Sequence, residues 1–230
     1  MRLSVIIPTL NEQDTLQRTL SGLQHWRDDV EIIVVDGGST DRTRDIAAPL
    51  VDHLRVTAPG RARQMNAGAE LATGDALLFL HADTLLPSGF LALIRQALAD
   101  ETHLWGRFDL CFEPRNRRLD LVAWMINKRS RVTRICTGDQ GIFMLTQVFR
   151  DFGGFRNIPL MEDIQFTRRL RYLTPPACLD AKVVTSSRRW IEKGIGRTIV
   201  LMWWLRLLYW LGVSPDRLVR LYYPGRSEQT

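Results

Sequence analysis

The chain has 230 residues, 45% of them apolar, with 31 basic against 25 acidic side chains and a formal net charge of +6. That size and apolar content suit one large domain with a core of its own, and they exclude disordered, coiled-coil and low-complexity chains. Three cysteines, Cys111, Cys136 and Cys178, stand far apart without CxxC spacing, which argues against a zinc cluster or a disulfide framework and points to a reducing compartment.

The opening, MRLSVIIPTLNE, has neither a basic n-region nor a long apolar h-region, so no secretory signal is expected. Short apolar runs predict buried strands at Leu3–Ile7, Glu31–Val35, His53–Val56 and Ala76–Leu80. Between them, helical patterns cover Thr15–Gln24, Arg42–Ala48, Arg61–Leu71 and Phe90–Leu98. Strand–helix alternation at this spacing predicts an α/β fold with a mostly parallel central sheet flanked by helices. The second half is less regular. Arg107–Phe112 alternates like an antiparallel strand, Leu119–Arg129 reads as a helix, and Gly141–Leu145 as a strand followed by a short helix from Thr146. Met161–Tyr172 is helical and Ala181–Thr185 a late strand. The expected division is a domain over residues 1–195 and an aromatic, basic C-terminal segment, taken as an amphipathic helix, over 196–230.

Ligands of such sheets bind beyond the carboxyl ends of the strands. The candidates are therefore Thr9, Asn11 and Glu12 after the first strand, Asp36 after the second, and His81 and Asp83 after the fourth. In VVDGGSTD (Val34–Asp41) the glycines permit a sharp turn, Asp41 can cap the next helix, and Asp36 can accept a ribose or base hydrogen bond. A capped turn without a ligand explains the same residues. The first helix does not open with GxGxxG, which weakens a dehydrogenase.

Four segments in this order, VIIPTLNE (Val5–Glu12), VVDGGSTD, GRARQMNAGAELATGDALLFLHADT (Gly60–Thr84) and MEDIQFTRRLR (Met161–Arg171), closely resemble the family 2 glycosyltransferases, over roughly residues 1–190. Within that family the chain resembles most the short bacterial members assigned to arsenosugar biosynthesis. The resemblance implies a GT-A (nucleotide-diphospho-sugar transferase) fold and an inverting glycosyl transfer from a UDP-sugar. It also implies that Pro8, Thr9, Leu10 and Glu12 line the nucleotide, with Asp36 and Gly37 near ribose and base and Arg61 near the diphosphate. His81, Ala82 and Asp83 occupy the DxD place. There Asp83, with His81 instead of the first Asp, would hold Mn2+ or Mg2+. Glu162–Asp163 matches the ED pair, with Asp163 as general base. Gly138, Asp139 and Gln140 fall where members contact the acceptor, Trp190 is grouped with them, and Arg188 or Arg189 would add charge beside the diphosphate. SSRRW (Ser186–Trp190) lacks the QxxRW of processive members, so single-sugar transfer is expected. A nucleotidyltransferase would want a glycine- and lysine-rich phosphate loop, which Pro8–Glu12 does not provide. A non-catalytic nucleotide-sugar-binding or scaffold protein is the other reading that the His81 departure allows.

Charge is unevenly spread. Met1–Leu104 holds 9 basic and 14 acidic residues; Trp105–Thr230 holds 22 and 11. Within the basic half, Ile199–Val213 reads IVLMWWLRLLYWLGV, with Arg206 its single charge and too short to span a bilayer. Tryptophan beside arginine suits a headgroup region, so peripheral contact with the inner face of the cell membrane is one expectation, near an amphiphilic or lipid-linked acceptor. Packing onto the domain or at a homodimer interface is the other. A nucleotide-sugar donor and a hydroxyl acceptor are the expected partners, nucleic acid is not, and the expected place is cytoplasmic.

Overall fold

Each residue from Leu3 to Ile7 is buried, which requires a strand covered on both faces. The computed structural model describes residues 1–99 and 102–222, and of Arg189 and Lys193 only the backbone. The chain runs β1 (Leu3–Thr9), α1 (Leu16–Ser21), β2 (Val30–Asp36), α2 (Thr43–Ala47), β3 (His53–Val56), α3 (Arg61–Leu71), β4 (Ala76–Phe79), β5 (Thr84–Leu85), α4 (Phe90–Ala97), β6 (Trp105–Glu113), α5 (Arg117–Thr133), β7 (Ile142–Leu145), α6 (Thr146–Asp151), α7 (Glu162–Leu170), β8 (Ala177–Ser186), α8 (Arg188–Lys193), α9 (Ile195–Trp210) and α10 (Pro215–Tyr222). The last residues of the expected 196–230 segment lie outside the described residues.

One sheet has the order β3-β2-β1-β4-β7-β6-β8-β5. Its first four strands are parallel, as their helical crossovers dictate. Beyond β4 it is mixed: β7 is antiparallel to both β4 and β6, β6 is parallel to β8, and β8 is antiparallel to β5. Alternate residues of the central strands point to opposite faces. Leu3, Val5 and Ile7 join one core with Leu16 and Leu20 of α1, Ile94 of α4 and Val122 of α5. Ile6, Val35 and Phe79 join another with Met65 of α3, Phe149 of α6 and Phe166 of α7. Each fully buried Leu, Ile or Phe contributes roughly 1.5–3 kcal/mol, so these alternating runs set the register.

Two expectations need correction. β3 is not buried: His53, Arg55 and Val56 are exposed, because β3 is the sheet's edge, where charged side chains deter pairing with other chains. The C-terminal segment is not one amphipathic helix. α9 is apolar on both faces, and the amphipathic pattern belongs to α10, which turns Leu218 inward. Leu205 and Leu218 form a third core with Met161. Among the described residues no helix is long and apolar enough to cross a membrane.

α3 lies unusually close to the sheet. A Cβ at Gly68 would stand 2.4 Å from Ile6 Cγ2 and 3.2 Å from Val35 Cγ2. Gly68→Val should lower stability by about 3 kcal/mol, read as an earlier urea midpoint; an unchanged midpoint would show that α3 has room to spare.

Candidate active site

The ends of β1 and β2 are bound into one platform. Asp36 is fully buried, and its Oδ1 accepts from the backbone N–H groups of Gly38 (3.0 Å) and Ser39 (2.7 Å). Its Oδ2 accepts from the hydroxyls of Thr9 (3.1 Å) and Ser39. With four protein donors around it, Asp36 reaches a nucleotide only by giving some of them up. As placed, Asp36 holds the turn after β2. Gly37 donates its N–H to Thr9 O, and its Cα faces the Gln64 side chain, which a Cβ would meet at 3.2 Å. Gln64 Nε2 donates to Thr9 O (2.7 Å) and Val35 O (2.8 Å), clamping the two strand ends. The sequence reading missed this residue, although a glutamine in the first turns of a helix facing two strand ends was the available signal. The loop after β1 is pinned likewise: Asn11 N donates to Ser39 Oγ and Glu12 N to Thr43 Oγ1, each at 2.8 Å.

Past this platform, Pro8, Arg61, His81, Gly138, Glu162 and Asp163 line one small pocket with apolar walls from Met65, Leu80 and Phe155. Arg61 opens α3, His81 follows β4, and the two carboxylates open α7, where acidic groups favour the positive end of the helix. Buried Met161 precedes them with φ +70°, a left-handed conformation uncommon outside glycine. Arg61 links two walls: Nη1 is 3.9 Å from Glu162 Oε1 and Nη2 is 3.5 Å from His81 Nδ1. Asp163 Oδ2 accepts the Gly138 N–H at 2.7 Å. Burial, and then the neighbouring Asp163 carboxylate, push Glu162 up to about 7, against the pull of Arg61.

Gly138 belongs to a 3-10 turn, Gly138–Gln140, closed by a capping box with Thr137. Gln140 is wholly buried: Oε1 accepts from Thr137 N and Nε2 donates to Ser130 Oγ. As placed, it supports the turn. Asp139 is raised by burial, with Oδ1 shielded and lacking a hydrogen-bond partner, and Arg129 supplies opposing charge from α5. Trp190 packs edge-on against Phe112 (ring centroids 5.5 Å apart) and does not line the pocket. Arg188 Nη2 lies 3.4 Å from Glu12 Oε2, tying the start of α8 to the loop after β1. The side chain of Arg189 lies outside the described residues. Thr9, Leu10, Glu12, Ala82, Asp83 and Asp139 are likewise not on the pocket wall.

Among the described residues no three His, Cys, Asp or Glu side chains converge as a cation-binding group. His81 turns Nδ1 toward Arg61, 3.5 Å away. Asp83, two residues on, accepts a 3.3 Å bond from Thr84 and retains lone pairs for a hard cation. This donor set fits a divalent ion held jointly by Asp83 and a ligand's own oxygens. It does not fit a cage built by the protein alone.

A family model described as "Glycosyl transferase family 2" matches residues 4–154. A curated relative, the PGL/p-HBAD biosynthesis glycosyltransferase of Mycobacterium bovis, is 47% identical over 91 residues, covering 36% of each chain. The validoxylamine A glucosyltransferase of Streptomyces hygroscopicus is 33% identical over 131 residues, covering 52% of this chain and 29% of that one. The matches thus span about a third of the length of these relatives. Among solved structures, glucosyl-3-phosphoglycerate synthase from Mycobacterium tuberculosis, in complex with Mn2+, UDP and phosphoglyceric acid, superposes with a TM-score of 0.65 at 19% identity, covering 92% of this chain and 79% of that chain. The fold is GT-A, as the resemblance implied.

Glu162 yields a pH test. Between its unfolded value of 4.5 and its folded value of about 7, the native state holds a proton that the unfolded chain releases. Stability should therefore fall as pH rises through this window, by on the order of 1–3 kcal/mol. Glu162→Gln should lose that slope in urea unfolding; parallel pH profiles for the two proteins would refute the assignment.

Proposed function

The chain belongs to glycosyl transferase family 2, and on that premise we propose that it moves a single sugar from a UDP-sugar to an acceptor hydroxyl, inverting the anomeric centre. The observation carrying this reading is the pocket in which Asp163 stands with Arg61 and His81, although the three come from α7, α3 and the turn after β4. The acceptor oxygen attacks the anomeric carbon as the bond to the diphosphate breaks. The electron pair leaves with the nucleoside diphosphate, and the acceptor proton goes to Asp163. The Gly138 N–H holds Asp163 Oδ2 and the Ile164 N–H holds Oδ1, each at 2.7 Å, which anchors the carboxylate for that transfer.

Arg61 is exposed on the pocket side and carries a fixed positive charge toward which a diphosphate can move. Asp36, Thr9 and Gln64 hold the platform on which ribose and base rest. A divalent ion, Mn2+ or Mg2+, held by Asp83 and diphosphate oxygens, would neutralise charge on the leaving group. With His81 engaged by Arg61, the acceptor side is bounded by Gly138 and Asp163. We take the acceptor to be amphiphilic or lipid-linked, because an exposed aromatic helix packs against the start of α7.

Asp163→Asn should reduce transfer at least about a thousandfold while preserving the rise in melting temperature that UDP with Mn2+ gives the wild type. Undiminished turnover would remove Asp163 as the base. Stabilisation by a different nucleoside diphosphate and not by UDP would overturn the donor.

A further inference from the structure

α9 has two apolar faces, of which the described residues cover one. Leu201, Met202, Leu205 and Tyr209 turn toward Met161 and Ile164 at the start of α7. On the opposite side, Val200, Trp203, Trp204, Leu207, Trp210 and Leu211 follow the helical repeat and stand exposed, the tryptophans at 67%, 54% and 74%. A helix apolar all round is normally buried, and a contiguous exposed stripe of this kind marks an interaction surface. By the 3.6-residue repeat, Arg197 and Arg206 fall on the two flanks of the stripe. α5, which packs against α9, has its own outward line of Arg117, Leu121, Trp124, Lys128 and Val132, all exposed.

We propose that this face docks the protein on an anionic lipid surface, with the tryptophans at headgroup depth and the flanking arginines on lipid phosphates. Charge chooses the occupant. From Ile195 to Tyr222 there are four arginines and one acidic residue, Asp216. A second copy meeting this face about a twofold axis would set arginine against arginine. An anionic bilayer supplies the missing sign and an apolar boundary together, and each basic group near such a surface adds to binding. The inner side of α9 packs on Met161 and Ile164, so α9 stands between the docked surface and the start of the helix that carries Glu162 and Asp163. Docking itself needs neither donor nor acceptor, so it stands or falls apart from the transfer reaction.

The test is flotation of the full chain with vesicles of equal parts phosphatidylglycerol and phosphatidylcholine, alongside vesicles of phosphatidylcholine alone. Tryptophan emission is followed in the same samples. The expected result is flotation with the anionic vesicles, a blue shift on binding, and loss of both in high salt. The variant W203A/W204A/W210A should partition at least about tenfold less, with an unchanged thermal melt because these side chains touch no core. Absence of flotation at low salt would overturn the proposal. So would equal binding by the triple variant, or a stable dimer in sedimentation that the triple variant abolishes.

Discussion

The pocket depends on keeping two adjacent carboxylates, Glu162 and Asp163, at the start of one helix with little water around Glu162. Side by side in a poorly solvated place, like charges repel strongly, and the pair persists only because the surroundings divide it. Arg61 stands near Glu162, burial favours the protonated form of that carboxyl, and the Gly138 N–H is committed to Asp163. The outcome is one carboxyl that readily holds a proton and one anchored as an acceptor. That division leaves one carboxylate placed to accept a proton, as the proposed transfer requires.

The rest of the fold delivers these groups. α3 brings Arg61 to the pocket, clamps β1 to β2 through Gln64, and holds the segment before α7 through Asn66, which exchanges hydrogen bonds with both the N–H and the carbonyl of Phe155. Its close seat on the sheet, permitted by Gly68 against Ile6, sets the depth at which all three act. The turn carrying His81 and Asp83 is anchored from below by Thr19 Oγ1 donating to Ala82 O at 2.8 Å, and from the side by Thr84 bonding Thr185 at 3.1 Å. A short helix at the front and a strand from late in the chain thus fix a turn between them.

The first half of the fold was legible because local pattern and tertiary role agree there. Leu3–Ile7 and Ala76–Leu80 are apolar runs that are in fact buried on both faces, and α3 begins and ends where its pattern does. β3 was misread because four residues do not reveal that one side lacks a neighbour. The alternation of Arg107–Phe112 suggested an antiparallel strand; β6 is antiparallel to β7 but parallel to β8, and Arg107 is fully buried and bonded to Asp109. Strand β5 has only two residues, and its pairing with β8 spans a hundred positions that no local window sees. In the site, the resemblance singled out Arg61, Glu162 and Asp163, which the fold brings to one pocket. What the resemblance did not convey is orientation: Asp36, Gln140 and Trp190 look like ligand contacts and face inward, where Thr9, Ser130 and Phe112 meet them.

The central claim is that residues from three remote stretches enclose one donor and one acceptor. A crystal structure of this chain grown with UDP and Mn2+ tests it most directly. The account predicts nucleotide density across the β1 and β2 ends, with diphosphate toward Arg61 and Asp83 and the Asp163 carboxylate facing the open end. Nucleotide density elsewhere on the molecule, or an Asp163 side chain turned away from the bound diphosphate, would contradict it.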